Sequence, residues 1–427
     1  MRMLYLFAGL LALTAIDVPI AVGLGAVAAV AIVVLHGPAS LVNIAVGMYN
    51  GTTSFPLLAI PLFILAGSIM NACGISRRLI AFASAVVGFV RGGLAMVGIA
   101  TSMFFAEISG SAVADVAALG AILIPAMKAK GYPVAFAAAV ESSAATLAVI
   151  IPPSIPMVLY AVMAETSIAK LFVARIIPSV LGELAMMGLT HAFAIRYHWP
   201  IEERFRLARV WETFKRASWS FALPVIILGG IFGGIVTATE GAALAVAAAL
   251  VIGAVVYREL DRPKLRQAMV EGVVQTAVVM LLVASSTVVG TFLTELQAPQ
   301  QLAATISGFT QNRYVILLLL NVLFLFLGLF LHSAAAITLV VPIVMPLVRA
   351  AGIDPIHFGL IVTLNLGIGQ QTPPVASVLM TACAIARADV WEVTRVNVWF
   401  IAVLLAVLVL CTYVPAVPML LVNHVYG

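Results

Sequence analysis

The chain has 427 residues, of which 63% are hydrophobic and only 9% are Asp, Glu, Lys or Arg, against roughly a quarter charged in soluble domains. That composition excludes a water-soluble globule, and apolar stretches of helical length recur from residue 3 to residue 422, so neither one signal sequence nor one anchor accounts for it. The net charge of +5 does not mark a nucleic-acid partner, because the basic residues sit between apolar segments, where they encode orientation.

The apolar runs are continuous, about 20 residues each, rather than the short alternating segments of a membrane barrel, which makes the class all-α and polytopic. Leu4 to Leu35 is too long for a signal-peptide core of about 7 to 15 residues. It reads as a retained first span, broken near Asp17-Val18-Pro19, with Asp17 capping the helix that Pro19 begins. Arg77 to Arg91 reads as a surface helix, and Arg91 through Lys128 as a re-entrant hairpin that enters from the cytoplasm and turns near Ser109-Gly110-Ser111. Residues 134 to 165 rise from the cytoplasm and 176 to 195 return to it.

The strongest orientation signal follows. Arg196 to Arg216 carries six basic residues with three Glu, and Arg258 to Arg266 carries four basic residues, so both are expected inside. The runs near 218 to 237 and 240 to 257 cross twice between them, 268 to 295 leads out, and a polar connection from Gln297 to Arg313 stays out. Residues 313 to 349 form a second hairpin whose arms meet near His332-Ser333. Residues 356 to 386 then descend to Arg387 and Arg395, and 396 to 422 ends outside, giving a cytoplasmic N-terminus and a periplasmic C-terminus. The five Trp residues, at 199, 211, 219, 391 and 399, all neighbour charged stretches and read as an interfacial belt. Cys73, Cys383 and Cys411 are isolated in apolar surroundings and read as packing residues.

An internal repeat supports this layout. Pro125 recurs as Pro346, Lys128 as Arg349, Ala129 as Ala350, Gly131 as Gly352, Pro152 as Pro373 and Pro153 as Pro374, all at one separation of 221 residues. The first copy's turn holds Lys128 and Lys130 without an acid, whereas the second holds Arg349 offset by Asp354, as expected of inverted copies. Each copy has a hairpin with a small or polar tip, then a helix ending in a Pro-Pro break. In the first copy the tip lies 17 residues before Lys128 and the break 21 residues after Gly131, so both climb about 25 to 30 Å from one turn and meet. In the second copy His332-Ser333-Ala334 meets the segment from Gly369 to Pro374.

Helices unwound at bilayer depth are tolerable where they line a buried cavity. There, freed carbonyls can hold a cation while half-helix N-termini face an anion. Ser109, Ser111, Ser154 and Thr372 add hydroxyl ligands without fixed charge, and that chemistry suits Na+ ions and a carboxylate. The candidate Na+ ligands are Ser109, Gly110, Ser111, Pro153, Ser154, Asn365, Gly367, Gly369, Thr372 and Pro373. The candidate substrate contacts are Ser109, Ser111, Ser154, His332 and Thr372. Asp115 and Glu141 are intramembrane acids and so functional candidates, although Glu141 lies about 7 Å below Asp115 by helical rise and the two are no evident catalytic pair. No nucleophile with a nearby base, paired Asp, His-Glu-x-x-His helix or phosphate loop occurs, so neither hydrolysis nor direct use of ATP is indicated, and no organic cofactor is implied.

Several segments resemble one family: Phe55-Pro56-Leu57-Leu58-Ala59-Ile60-Pro61-Leu62-Phe63, Ser109-Gly110-Ser111-Ala112-Val113-Ala114-Asp115, Ile151-Pro152-Pro153-Ser154-Ile155-Pro156, Thr237-Ala238-Thr239-Glu240, Gly352-Ile353-Asp354-Pro355 and Thr372-Pro373-Pro374-Val375. In this order they resemble the large membrane subunit of TRAP transporters, the tripartite ATP-independent periplasmic systems, over nearly the whole chain. The resemblance implies Na+-driven uptake of an organic acid such as a dicarboxylate or sialic acid across a bacterial inner membrane. It also implies delivery by a periplasmic binding protein, a separate small four-helix membrane subunit, and an elevator mechanism; the alternative is a self-sufficient Na+-coupled anion transporter of the same superfamily that needs no binding protein. On that reading 1–90 forms N-terminal scaffold spans with the surface helix, and 91–165 the first hairpin and broken helix of a transport domain. Residues 166–312 are scaffold spans with basic loops, 313–386 the second hairpin and broken helix, and 387–427 the C-terminal span. Three positions depart from the family pattern: His332 stands where an Asp is common, Ala376 replaces a Gly, and Ala238 replaces a Pro. An imidazole cannot repeat an aspartate's role, which points to a different ligand or different charge recognition at that tip.

Overall fold

The computed structural model describes all residues except 1–8, 10, 11, 14, 15, 17, 110, 149, 150, 152, 200, 202, 203 and 427, and omits the side chains of 106–109 and 148. The expectations for Asp17, Gly110 and Pro152, and for the Ser109 side chain, lie outside the described residues. Among those described the architecture is all-helical, with a single isolated antiparallel bridge between Arg91 and Ile201. Eight helical stretches of at least 18 residues are apolar enough to cross a membrane.

The hairpins form where the sequence places them. In the second, Arg313–Phe330 and Ser333–Ala350 flank an extended two-residue tip. In the first, Gly93–Ser109 runs up to the tip and Ala112–Asp115 leads away, passing through a π-helical turn at Val116–Gly120 into Ala121–Ala129. Pro125 and Pro346 both sit inside the returning arms. The paired glycines Gly131 and Gly352 take left-handed backbone, at φ of 84° and 67°, a conformation that costs an L-residue with a side chain about 1 kcal/mol or more. The turn to the broken helix is therefore built alike in both copies. The Asp354 carboxylate accepts from the amides of Ile356 and His357 and caps the helix, while Arg349 donates to the Ala164 carbonyl at 3.0 Å and lies 3.9 Å from Glu165.

The broken helices interlock across the copies. Val134–Ala148 packs against Ser377–Ala386, the resumed half of the second broken helix, and Ile155–Met163, the resumed half of the first, packs against Ser333–Ala350. Helix Pro355–Gly369 lies so close to the arm Arg313–Phe330 that a Cβ on Gly369 would stand 2.5 Å from the Gly328 backbone. Small residues permit such backbone approach where water offers no hydrophobic drive between helices.

Around this core run the remaining spans. Helix Arg262–Glu295 has 34 residues, about 50 Å at helical rise, so it exceeds the hydrocarbon thickness of about 30 Å and must tilt or protrude. It packs against Ile20–His36, Leu41–Thr52, Ala59–Ala72 and Ser333–Ala350. Helix Ala238–Val251 begins with a capping box: Thr237 Oγ1 accepts from the Glu240 amide at 3.3 Å, and Glu240 Oε2 accepts from the Thr237 amide at 2.8 Å. The Thr-Ala-Thr-Glu segment thus has a folding reason for its spacing.

The polar connection from Gln297 to Arg313 contains helix Ala298–Phe309, packed on Ser333–Ala350. One expectation is corrected. Trp199 is not interfacial: it is 8% exposed, with ring centroids 4.6 Å from Tyr132 and 4.4 Å from Phe136, whereas Trp211, Trp219, Trp391 and Trp399 are exposed. All three cysteines are buried and free.

The close helix crossing yields a test. Gly369→Ala should lower the apparent melting temperature in detergent, since overpacking against backbone costs about 1–3 kcal/mol. Gly188→Ala, where nothing lies within 4 Å, should not lower it. Equal melting of the two variants would contradict the crossing.

Candidate functional site

Both hairpin tips are helix N-termini. Ser111, extended at φ −138° and ψ 119°, is the N-cap residue of the first returning arm. His332, at φ −63° and ψ 146°, is that of the second, its Nδ1 accepting from the Ala334 amide at 3.4 Å. The two caps are themselves 221 residues apart, so the tips are equivalent, with an imidazole where the first copy has a hydroxyl. A ring nitrogen accepting that bond is unprotonated, and it serves as a cap oxygen would.

The breaks differ. In the first copy helix resumes at Ile155, capped in position by Ser154 and with Pro156 in its first turn. Ser154 is fully buried, and its Oγ has no hydrogen-bond partner among the described residues. In the second copy, the helix runs unbroken through Asn365 and Gly367 to Gly369, and resumes at Ser377 after Ala376 at φ 43°. The Gly369 carbonyl accepts from the Thr372 amide at 2.9 Å, and Thr372 Oγ1 donates to the Ile368 carbonyl at 3.0 Å. Asn365 Nδ2 donates to Asn321 Oδ1 at 2.6 Å and to the Ile361 carbonyl, leaving its buried Oδ1 without a partner. Pro153 is buried and Pro373 half-buried.

A cavity of about 650 Å³ opens where these pieces converge. One wall carries Ser111, Pro156, His332, Ser333 and Gln370; the other comes from Ile20, Ile64 and the long helix Arg262–Glu295, which adds Gln275 and Leu282. Among the described residues no Lys, Arg, Asp or Glu lines it. Ser154 and Thr372 are not in the lining, so among the described substrate candidates Ser111 and His332 reach the cavity. Gln370 Nε2 donates to Ser333 Oγ and ties the second tip to the second break.

Deeper polar contacts lock the copies together. Gln371 Oε1 and Asn397 Oδ1 lie 2.7 and 2.8 Å from Ser143 Oγ, whose one proton can serve either, and Asn397 Nδ2 donates to Gln371 Oε1 at 3.2 Å. Asn321 Nδ2 in turn donates to Thr412 Oγ1 at 3.3 Å. Glu141 is 1% exposed and packs on Gly98, where a Cβ would fall 2.1 Å from its Oε1. Asp115, also 1% exposed, lies on the short helix leaving the first tip.

Comparison with known proteins places this geometry. The chain matches the family described as Tripartite ATP-independent periplasmic transporter, DctM component, over residues 7–417. The chain belongs to that family. It is 42% identical over 409 residues to the isethionate TRAP transporter permease protein DctMQ of Oleidesulfovibrio alaskensis, covering 95% of this chain and 64% of that relative. The chain thus spans about two-thirds of that relative's length. It is also 38% identical to the C4-dicarboxylate TRAP transporter large permease protein DctM of Pseudomonas aeruginosa and 37% identical to the sialic acid TRAP transporter large permease protein SiaM of Vibrio cholerae, in each case over 88% of both chains. The crystal structure of the Alcanivorax borkumensis YdaH transporter shares the fold, with a TM-score of 0.62 at 16% identity over 88% of each chain.

Sequence reading missed Gln275, Gln370 and Ser333 as cavity residues. A lone amide within the apolar run 268 to 295 was the available signal for Gln275, since a polar group in a span is retained for a partner or a cavity. Among the described residues Gln275 supplies the only polar side chain on its wall. Gln275→Leu keeps the bulk and removes that group, so if the cavity holds the transported solute its apparent KM should rise about tenfold, as for one lost hydrogen bond to a charge. Val270→Leu, exposed on the same helix outside the cavity, is the control, and an unchanged KM in Gln275→Leu would remove the cavity from the transport path.

Proposed function

We propose that this TRAP permease is the large membrane component of a Na+-coupled secondary transporter that imports an organic acid delivered by a periplasmic binding protein. The observation that carries this reading is the 650 Å³ cavity in which two hairpin tips and a resumed helix face the long helix Arg262–Glu295. An anion in it would be held by neutral donors: the Ser111 and Ser333 hydroxyls, the amides of Gln275 and Gln370, the His332 ring and the N-terminus of Ile155–Met163. Relatives named for isethionate, C4-dicarboxylates and sialic acid support an organic acid as the class. With no fixed cation among the described lining residues, a sulfonate suits the site as well as a carboxylate does.

Na+ fits the donor set beside the cavity. Ser154 Oγ and Asn365 Oδ1 are buried oxygens with no partner among the described residues, and hard cations take oxygen ligands of this kind. The carbonyls of Gly110, Pro153 and Gly369 and the hydroxyls of Ser109, Ser111 and Thr372 complete the proposed ligand set, with Gly367 and Pro373 as flanking backbone.

In this reading the two hairpins and broken helices, 91–165 and 313–386, move as one body against a scaffold formed by 1–90 and 166–312. A small four-helix subunit covers part of that scaffold, where Val270 and Val273 are exposed outside the cavity. The chain lies in the inner membrane, with its N-terminus cytoplasmic and its C-terminus periplasmic.

Proteoliposomes test the proposal. With the small subunit and binding protein present, an inward Na+ gradient should drive accumulation, and a proton gradient alone should not. Na+-independent accumulation would overturn the coupling, and full activity of the chain alone would overturn the tripartite assignment.

A further inference from the structure

A second polar cavity, of about 570 Å³, lies away from the transport site. Its walls are the start of helix Ile75–Val87, the first half of helix Leu207–Phe232 and the turn after the π-helical segment Ile252–Val256. Four basic side chains line it, Arg77, Arg78, Lys215 and Arg216, against one carboxylate, Glu259.

That carboxylate is already committed. Arg78 donates to both its oxygens, at 2.5 and 3.3 Å, and also to the carbonyls of Cys73 and Gly74, while its guanidinium stacks 3.8 Å from the Tyr257 ring centroid. The same hydrogen bond holds the Glu259 carboxyl below its ordinary range, so it is ionised and satisfied. Arg77 reaches Glu259 only at 4.0 Å, with its side chain 75% exposed. Arg216 pairs with exposed Glu212, an i,i+4 surface contact of small worth, and Lys215 lies 5.2 Å over the Trp211 ring with no carboxylate partner among the described residues. Three exposed cations therefore converge on a cavity whose internal acid is spoken for.

We propose that this cavity binds the phosphate headgroup of an anionic glycerophospholipid at the membrane surface. The chemistry is that of a phosphate oxygen receiving charge-assisted bonds from Arg and Lys, with the exposed Trp219 indole beside it. What favours a lipid over a soluble phosphate is the surface beyond the cavity. Farther along Leu207–Phe232, Val225 and Ile226 are exposed, about 9 to 10 Å from Trp219 by helical rise. On the neighbouring span Val251 and Val255 are exposed just before the turn, and the two spans pack side by side. Acyl chains have an apolar surface leading away from the basic cavity in one direction.

The test is native mass spectrometry of the purified chain titrated with phosphatidylglycerol or phosphatidylethanolamine. Wild type should retain phosphatidylglycerol preferentially, and the combined variant Arg77→Gln, Lys215→Gln, Arg216→Gln should weaken that binding about tenfold or more. A variant with equal charge loss elsewhere, Lys128→Gln, Arg204→Gln, Arg206→Gln, should bind as wild type does, which separates the site from net charge. Millimolar inorganic phosphate should not displace the lipid. Equal retention by the two variants, equal binding of the two lipids, displacement by inorganic phosphate, or exclusion of lipid by the small subunit would each overturn the proposal. Transport is not the readout, so the lipid site stands or falls apart from the Na+-coupled reading.

Discussion

A backbone amide or carbonyl left without a partner at bilayer depth costs several kcal/mol, so a helix can be interrupted there only where other protein groups or a lined cavity take over. This chain interrupts helical structure at two tips and two breaks, and among the described residues the interruptions of the second copy are covered. His332 caps the second tip, the Gln370 amide bonds Ser333 across from tip to break, and the Thr372 amide turns back to the Gly369 carbonyl. Ser111 and Ser154 lead the helices that restart in the first copy. The interruptions converge, and the space between them is the main cavity.

Convergence also explains where the buried amides lie. Gln371 and Asn397 meet at Ser143, 228 and 254 residues away in sequence, and Asn321 bridges Asn365 to Thr412. These contacts join the two copies to each other and to helix Val390–Tyr413. In a low-dielectric interior a polar network of this kind favours one arrangement of the helices, because any slip strands several groups together. By contrast, the described residues of the wall facing that unit are apolar except for Gln275, and an apolar surface can slide without breaking hydrogen bonds. The contrast between a polar-locked unit and a smooth opposing wall is the physical basis for relative motion in the proposed cycle.

Much of this was legible in the residues. The constant separation of 221 pointed to two copies, and Gly131 and Gly352 adopt the same left-handed turn because only a residue lacking Cβ does so without strain. Hydropathy placed the arms of the second hairpin within a residue or two. Other features were hidden for identifiable reasons. Helix Ala298–Phe309 was read as a connection because Gln, Ser and Thr break its apolar window, although it packs on Ser333–Ala350 along one side. The π-helical turns at Val116–Gly120 and Ile252–Val256 have no residue signature. Trp199 was assigned to the interface from its charged neighbours, while its partners Tyr132 and Phe136 are distant in sequence. The partners of Gln370 and Gln371 belong to the folded chain alone, which is why the candidate lists favoured Thr372 and Pro373 over the amides beside them.

The central claim is that the two hairpin-and-helix copies form one body that shifts against the long helix. Spin-label distance measurement on two cysteine pairs addresses it directly, using the exposed positions Ile122, Val273 and Leu318. The pair Ile122→Cys with Leu318→Cys spans the two copies and should keep one distance through all conditions. The pair Val273→Cys with Ile122→Cys joins scaffold to hairpin and should redistribute between two populations when Na+ and substrate are added. A fixed Val273 to Ile122 distance, or a change between the two hairpins instead, would contradict the account.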